Sequence, residues 1–129
     1  MKVTEILKQD KPTISFEVFP PKKDTDFADV EAAATSIAEL NPSYMSVTYG
    51  AGGSTKGLTI KLAEGIQRKY NVPTIAHLTC VCADKTGISQ ALEDMKAAGI
   101  KNILALRGDI PKDLSLIHIS EPTRQEAIS

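Results

Sequence analysis

Four short apolar runs punctuate the chain: Ile14 to Phe19, Tyr44 to Thr48, Thr74 to Cys80 and Asn102 to Leu106. They begin about thirty residues apart, the length that one strand, a crossover helix and the next parallel strand require. Each interval should therefore hold a helix. In the first, Phe27, Val30, Ala34, Ile37 and Leu40 fall on one helical face. Asp24, Thr25 and Asp26 offer N-cap oxygens before that stripe, and Asn41-Pro42 stops it. In the second, Leu58, Leu62, Ile66 and Tyr70 make the stripe, closed by Asn71 and Pro73. In the third it is Ile88, Ala91, Leu92, Met95 and Ala98, with Gly99 placed to take the left-handed conformation that ends a helix. A short helix is predicted at residues 3–9. The pattern reads βαβαβαβ, an α/β fold with parallel strands and right-handed crossovers.

After Asp113 the pattern stops. Leu114 to Ser129, LSLIHISEPTRQEAIS, has neither a helical stripe nor a clean alternation, and Pro122 would break a helix there. Leu114 to Arg124 resembles a conceptual translation of the transposase adapter used in sequencing libraries. The native region is therefore read as residues 1–113, and residues 114–129 as a non-native tail or, failing that, a disordered arm. Four β/α units make half a barrel or a small open sheet, whereas a closed barrel takes eight units and about 250 residues.

Composition narrows the class. Hydrophobic residues make up 42% and charged residues 24% of the 129, with a formal net charge of −1. That balance argues against disorder and against a broad basic face for nucleic acid. No apolar run approaches the roughly 18–20 residues of a membrane span, and the N-terminus has no signal-peptide core. A cytoplasmic protein with neither a nucleic-acid nor a membrane partner is expected. Cys80 and Cys82 suit neither a disulfide framework nor a four-ligand zinc site and read as reduced strand residues. His77 and His118 have no companion ligand at helical spacing, so no metal is expected.

In parallel β/α folds ligands gather at the carboxyl ends of the strands. Here those ends read Glu17-Val-Phe-Pro-Pro21, Val47-Thr-Tyr-Gly-Ala-Gly-Gly53, His77-Leu-Thr-Cys80 and Leu106-Arg-Gly-Asp109. Glu17 carries the most information. Strand alternation puts Ser15, Glu17 and Phe19 on one face, and Ile14, Phe16 and Val18 on the face that meets helices. A carboxyl buried inside an apolar strand should have a raised pKa, as a general acid needs; an internal Glu paired with Arg or Lys is the bland reading. The Gly50-Ala-Gly-Gly-Ser-Thr55 loop could approach an anion before a helix, yet it lacks the order of a P-loop. Arg107-Gly108-Asp109 closes a predicted buried strand, which suits a ligand loop better than an adhesion motif.

Together, Ser15-Phe-Glu-Val-Phe-Pro-Pro21, Ser46-Val-Thr-Tyr-Gly-Ala51, Ala76-His-Leu-Thr-Cys80 and Ala105-Leu-Arg-Gly-Asp109 resemble the methylenetetrahydrofolate reductase family, in order and spacing, from Met1 to about Asp113. The resemblance implies a parallel β/α barrel of the TIM type that binds FAD, with the first four units present here. The implied activity is reduction of methylenetetrahydrofolate to methyltetrahydrofolate by NADH or NADPH, in one-carbon metabolism and methionine synthesis. Glu17 resembles the family's general acid, which opens the folate ring to an iminium cation. Asp109 resembles the carboxylate beside the flavin, whose charge favours that cation. Tyr49, Ala51, His77, Arg107, Gly108 and Asp109 resemble FAD contacts, and Thr48 a contact on the nicotinamide or folate side. The remaining FAD and folate contacts of the family lie beyond Asp113, so the chain alone is expected to be inactive, while the full-length protein is expected to be a homo-oligomer. Two other readings stand beside this one: another FAD-binding β/α-barrel oxidoreductase, such as a proline dehydrogenase-like oxidase, or a non-catalytic half-barrel binding module.

Overall fold

The structure is a computed structural model that describes residues 2–21, 26–49, 56–80 and 83–107. Its elements are α1 (Val3–Leu7), β1 (Ser15–Val18), α2 (Phe27–Ala38), β2 (Tyr44–Val47), α3 (Lys56–Tyr70), β3 (Thr74–Thr79), α4 (Lys85–Ala97) and β4 (Asn102–Leu106). The strands form one parallel sheet in the order β1-β2-β3-β4, so the expected parallel α/β alternation is present. Residues 114–129, the expected tail, lie outside the described residues.

The strands are shorter than the apolar runs that announced them. Ile14, Phe19, Thr48 and Cys80 flank the strands, although the ladder persists one bond further: the Thr48 N–H donates to the Val18 carbonyl at 3.0 Å and the Cys80 N–H to the Leu106 carbonyl at 2.9 Å. Helix ends follow the sequence closely. The residues after α2, α3 and α4 that stop each helix, Asn41, Asn71 and Gly99, have φ of 56°, 54° and 78°, the left-handed conformation that Asn and Gly tolerate best. After α4 the Gly99 N–H donates to the Lys96 carbonyl and the Ile100 N–H to the Met95 carbonyl, both at 3.0 Å, the paired bonds of a Schellman ending. At its other end the Asp84 carboxylate caps α4, accepting from the Gly87 N–H at 2.7 Å. Asp26 stands at the N-cap of α2 without a side-chain cap bond, while Asp24 and Thr25 are outside the described residues.

Alternation sorts the sheet into two faces. Val18, Met45, Val47, Thr74, Ala76 and Leu78 point toward the helices and are buried against Ala34, Ala38, Leu62, Ala63, Ile66, Ala91 and Met95. Each large side chain buried there contributes roughly 1.5–3 kcal/mol. The helices are also tied sideways: Lys69 pairs with Glu31 at 2.9 Å across α2 and α3, and Lys61 lies 4.3 Å from the centre of the Phe27 ring. Expected burial fails at four positions at the margins of this layer, Leu92 on α4, 41% exposed, and Phe16 on β1 among them. Leu40 is 70% exposed because α2 ends before it, and Ile14 is 64% exposed because it precedes the edge strand β1.

The opposite face carries Ser15 and Glu17 of β1, Tyr44 and Ser46 of β2, Ile75, His77 and Thr79 of β3, and Asn102, Leu104 and Leu106 of β4. At its N-terminal end α1 is attached, the Val3 N–H donating to Asn102 Oδ1 at 2.9 Å. Val3 and Ile6 are buried there, apart from the main core. The carboxyl end of this face is where the polar side chains converge.

Candidate functional site

Glu17 and His77 are two strands apart and offset by two residues along the strands, which separates their backbones by roughly 11–12 Å. Contact across that gap needs two long side chains and a short one between them. The register supplies this, because Glu17 is paired with Ser46 on the intervening strand. The Ser46 hydroxyl donates to Glu17 Oε1 at 3.1 Å, and His77 Nε2 lies 3.5 Å from the same oxygen. The sheet thus joins an acid, a hydroxyl and an imidazole on the face turned away from α2, α3 and α4.

Their environments differ. The His77 side chain is only 11% exposed and that of Glu17 is 48% exposed. Burial therefore lowers the His77 pKa below its ordinary 6.5, while the neighbouring Glu17 pulls it back part of the way. The burial expected of Glu17 is not found, since β1 is an edge strand and nothing described covers its carboxyl. Val18 and Phe16 both lie on the helix-facing side as expected, but only Val18 is buried there, Phe16 being exposed for the same reason.

Thr48 follows β2 and is held at both backbone groups. Its N–H donates to Val18 as described, and its carbonyl accepts from the hydroxyl of Thr59, a fully buried residue in α3, at 2.9 Å. Tyr49 packs against the core on the helix side, where burial, and then the nearby Cys80 thiol, raise its pKa above 10.0. Arg107, just past β4, is exposed. Ala51, Gly108 and Asp109, the other expected site residues, lie outside the described residues, as do Cys82 and most of the Gly-rich loop. The structure therefore brings Glu17 and His77 together and sets Thr48, Tyr49 and Arg107 on the same end of the sheet.

Two polar residues of this face were not singled out from sequence. Ser46 is the bridge just described. Thr79, two positions beyond His77 and on the same face, has a buried Oγ1 with no hydrogen-bond partner among the described residues. A period of two from Thr48 and from His77 is the signal that would have found both. A surface concavity of about 400 Å³ bounded by Gln67, Asn71, Val72, Pro73 and Lys101 lies where α3 gives way to β3, at the other end of the strands.

The amino-acid sequence is similar to those of known proteins. A family model described as methylenetetrahydrofolate reductase matches residues 2–127. Methylenetetrahydrofolate reductase (NADH) 1 of Arabidopsis thaliana is 37% identical over 110 residues, covering 85% of this chain and 19% of the relative. Methylenetetrahydrofolate reductase 2 of Schizosaccharomyces pombe is 43% identical over 98 residues, 75% of this chain and 15% of the relative. The 5,10-methylenetetrahydrofolate reductase of Pectobacterium carotovorum subsp. carotovorum is 30% identical over 105 residues, 81% of this chain and 35% of the relative. The aligned part of the chain thus spans about a fifth of the plant protein and about a third of the bacterial one. With a parallel α/β sheet, a Glu17–Ser46–His77 cluster on its open face and a family match along nearly its whole length, the chain belongs to the methylenetetrahydrofolate reductase family.

Proposed function

We propose that the chain forms the first half of the catalytic β/α barrel of an enzyme that reduces methylenetetrahydrofolate to methyltetrahydrofolate with FAD and NADH or NADPH. The observation that carries this reading is the Glu17–Ser46–His77 cluster on the open face of a parallel sheet, where a barrel interior would lie. In a closed barrel four further units would pair with the edges β1 and β4 and cover Glu17. The native boundary near residue 113 belongs to the same reading, and amplifying the intact locus tests it: codons for residues 114–129 found there would overturn the non-native tail.

The residues present suit a flavin. The buried Thr79 hydroxyl, without a partner among the described residues, lies two positions beyond His77 on the same face, and burial disfavours the charged form of that imidazole. Thr48, Tyr49, Ala51, His77, Arg107, Gly108 and Asp109 would hold the cofactor, with Thr48 turned to the nicotinamide or folate. When bound, FAD supplies hydride transfer.

The protein's part is protonation and electrostatics. Glu17 gives its proton to the leaving amine nitrogen of the folate ring: the O–H bond breaks as the N–H bond forms, and the ring C–N bond to that nitrogen opens, its electron pair going to the nitrogen and leaving an iminium cation. The carboxylate left behind is met by the Ser46 hydroxyl and by His77. Asp109 contributes a negative charge that favours the cationic folate. Taken alone, the 129-residue chain is expected to bind FAD weakly or not at all, because β1 and β4 each have an edge that pairs with no strand among the described residues.

Glu17→Gln in the full-length protein tests the reading. Folate reduction should fall about 10²–10⁴-fold, the usual contribution of a general acid, while NADH still bleaches the flavin. Undiminished folate reduction sinks it. Loss of both half-reactions, with the fold intact, favours a binding module instead.

A further inference from the structure

We propose that Ser46 is the positioning residue for Glu17, fixing which carboxyl oxygen faces the substrate; this rests on the reading of Glu17 as proton donor. The geometry is asymmetric. The Ser46 hydroxyl at 3.1 Å and His77 Nε2 at 3.5 Å both address Oε1. Two contacts on Oε1 leave Oε2 as the oxygen that carries the acid's proton and turns toward the open face. Without Ser46, a half-exposed Glu17 on an edge strand has several rotamers available, and its reach across β2 to His77 is only one of them.

Ser46 also suits the place by size. Its hydroxyl reaches the same Glu17 oxygen that His77 faces, while its own β3 partner is Ile75, two residues before His77, so Ser46 stands beside the diagonal from Glu17 to His77. A longer side chain there would fill the gap that the acid and the imidazole bridge. Of the described positions flanking His77 on the same face, Ser46 on β2, Thr48 just after it and Leu104 on β4 bring no acidic or basic side chain, and Glu17 is the charged partner among the described residues. The titration of His77 therefore reports where the Glu17 carboxylate sits.

The test uses full-length, flavin-free protein with 13C-labelled histidine, following His77 by NMR against pH. Glu17→Gln should lower the His77 midpoint, because the raising influence of the carboxylate is gone. Ser46→Ala should lower it in the same direction, by about half as much or more, and Ser46→Thr, which keeps the hydroxyl, should return it toward the wild-type value. In the flavin-loaded enzyme, Ser46→Ala should lower kcat for folate reduction about tenfold or more with KM changed far less, and Ser46→Thr should rescue it. A His77 midpoint that moves in Glu17→Gln but not in Ser46→Ala overturns the positioning role. Full folate reduction by Glu17→Gln overturns the proton-donor reading itself, which the NMR titration does not depend on.

Discussion

The two faces of the sheet are built by opposite rules. On the helix side, adjacent positions such as Met45 and Val47 are fully buried, and the polar residue among them, Thr74, bonds the Val72 carbonyl at 2.9 Å. On the other side, Ser46, between those two in sequence, bonds Glu17, and Thr79 holds a buried hydroxyl that bonds nothing described. One face is satisfied by its own chain. The other joins polar side chains across strands and leaves one buried hydroxyl without a partner among the described residues, an arrangement that suits a ligand-facing surface.

The sharpest way to break this contrast is within β2. Met45→Ala should cost about 2–5 kcal/mol of unfolding free energy, by lost transfer energy and a cavity under α3. Ser46→Ala, one residue away, should cost less than about 1 kcal/mol, since it removes a partly exposed hydrogen bond. Urea denaturation of the full-length variants measures both, and equal costs would show that the open face is as structural as the core.

Asp84→Ala probes the helix layer at its rim. Loss of the cap on Gly87 should cost about 0.5–2 kcal/mol, read from the same denaturation curves, with no change in flavin affinity. Thr79→Val should do the reverse. Stability should hold or rise, since a partnerless hydroxyl is replaced by a methyl, while FAD affinity falls about three- to tenfold for one lost hydrogen bond. Fluorescence titration of the full-length protein with FAD decides it; unchanged affinity would remove Thr79 from the proposed site.

The smallest effect is a pH dependence. His77 has a folded pKa below the ordinary 6.5, so the unfolded chain binds more protons in the interval between the two values. Its contribution to stability is full above about 6.5 and is lost as pH falls through that interval toward the folded pKa. Glu17→Gln should steepen the loss, because the carboxylate that raises the His77 pKa is removed, and His77→Gln should abolish it. Thermal denaturation across mildly acidic pH checks the sign.

Much of the helix layer was legible in the residue pattern. Phe27, Ala34, Leu62, Ile66, Ala91 and Met95 lie in the stripes read from period, and all are buried. Asn41, Asn71 and Gly99 end helices as their tolerance of positive φ predicts. Leu40 and Ile14 escaped, because a stripe does not tell where the last turn stops or which strand will be an edge. At the site, Glu17 and His77 were legible as unusual residues at strand ends. Their meeting was not, since it depends on register between three strands.

Periodicity and local backbone preference decide which residues become helix and strand, because those choices are made within a few residues of chain. They also decide which side of each strand is apolar. Tertiary structure alone decided that Glu17, Ser46 and His77 share one oxygen, because a one-residue slip of β2 would turn Ser46 to the core and part the other two. It decided as well that Glu17 is half open to solvent, because exposure on an edge strand depends on what closes over the sheet and not on the residues beside it in sequence.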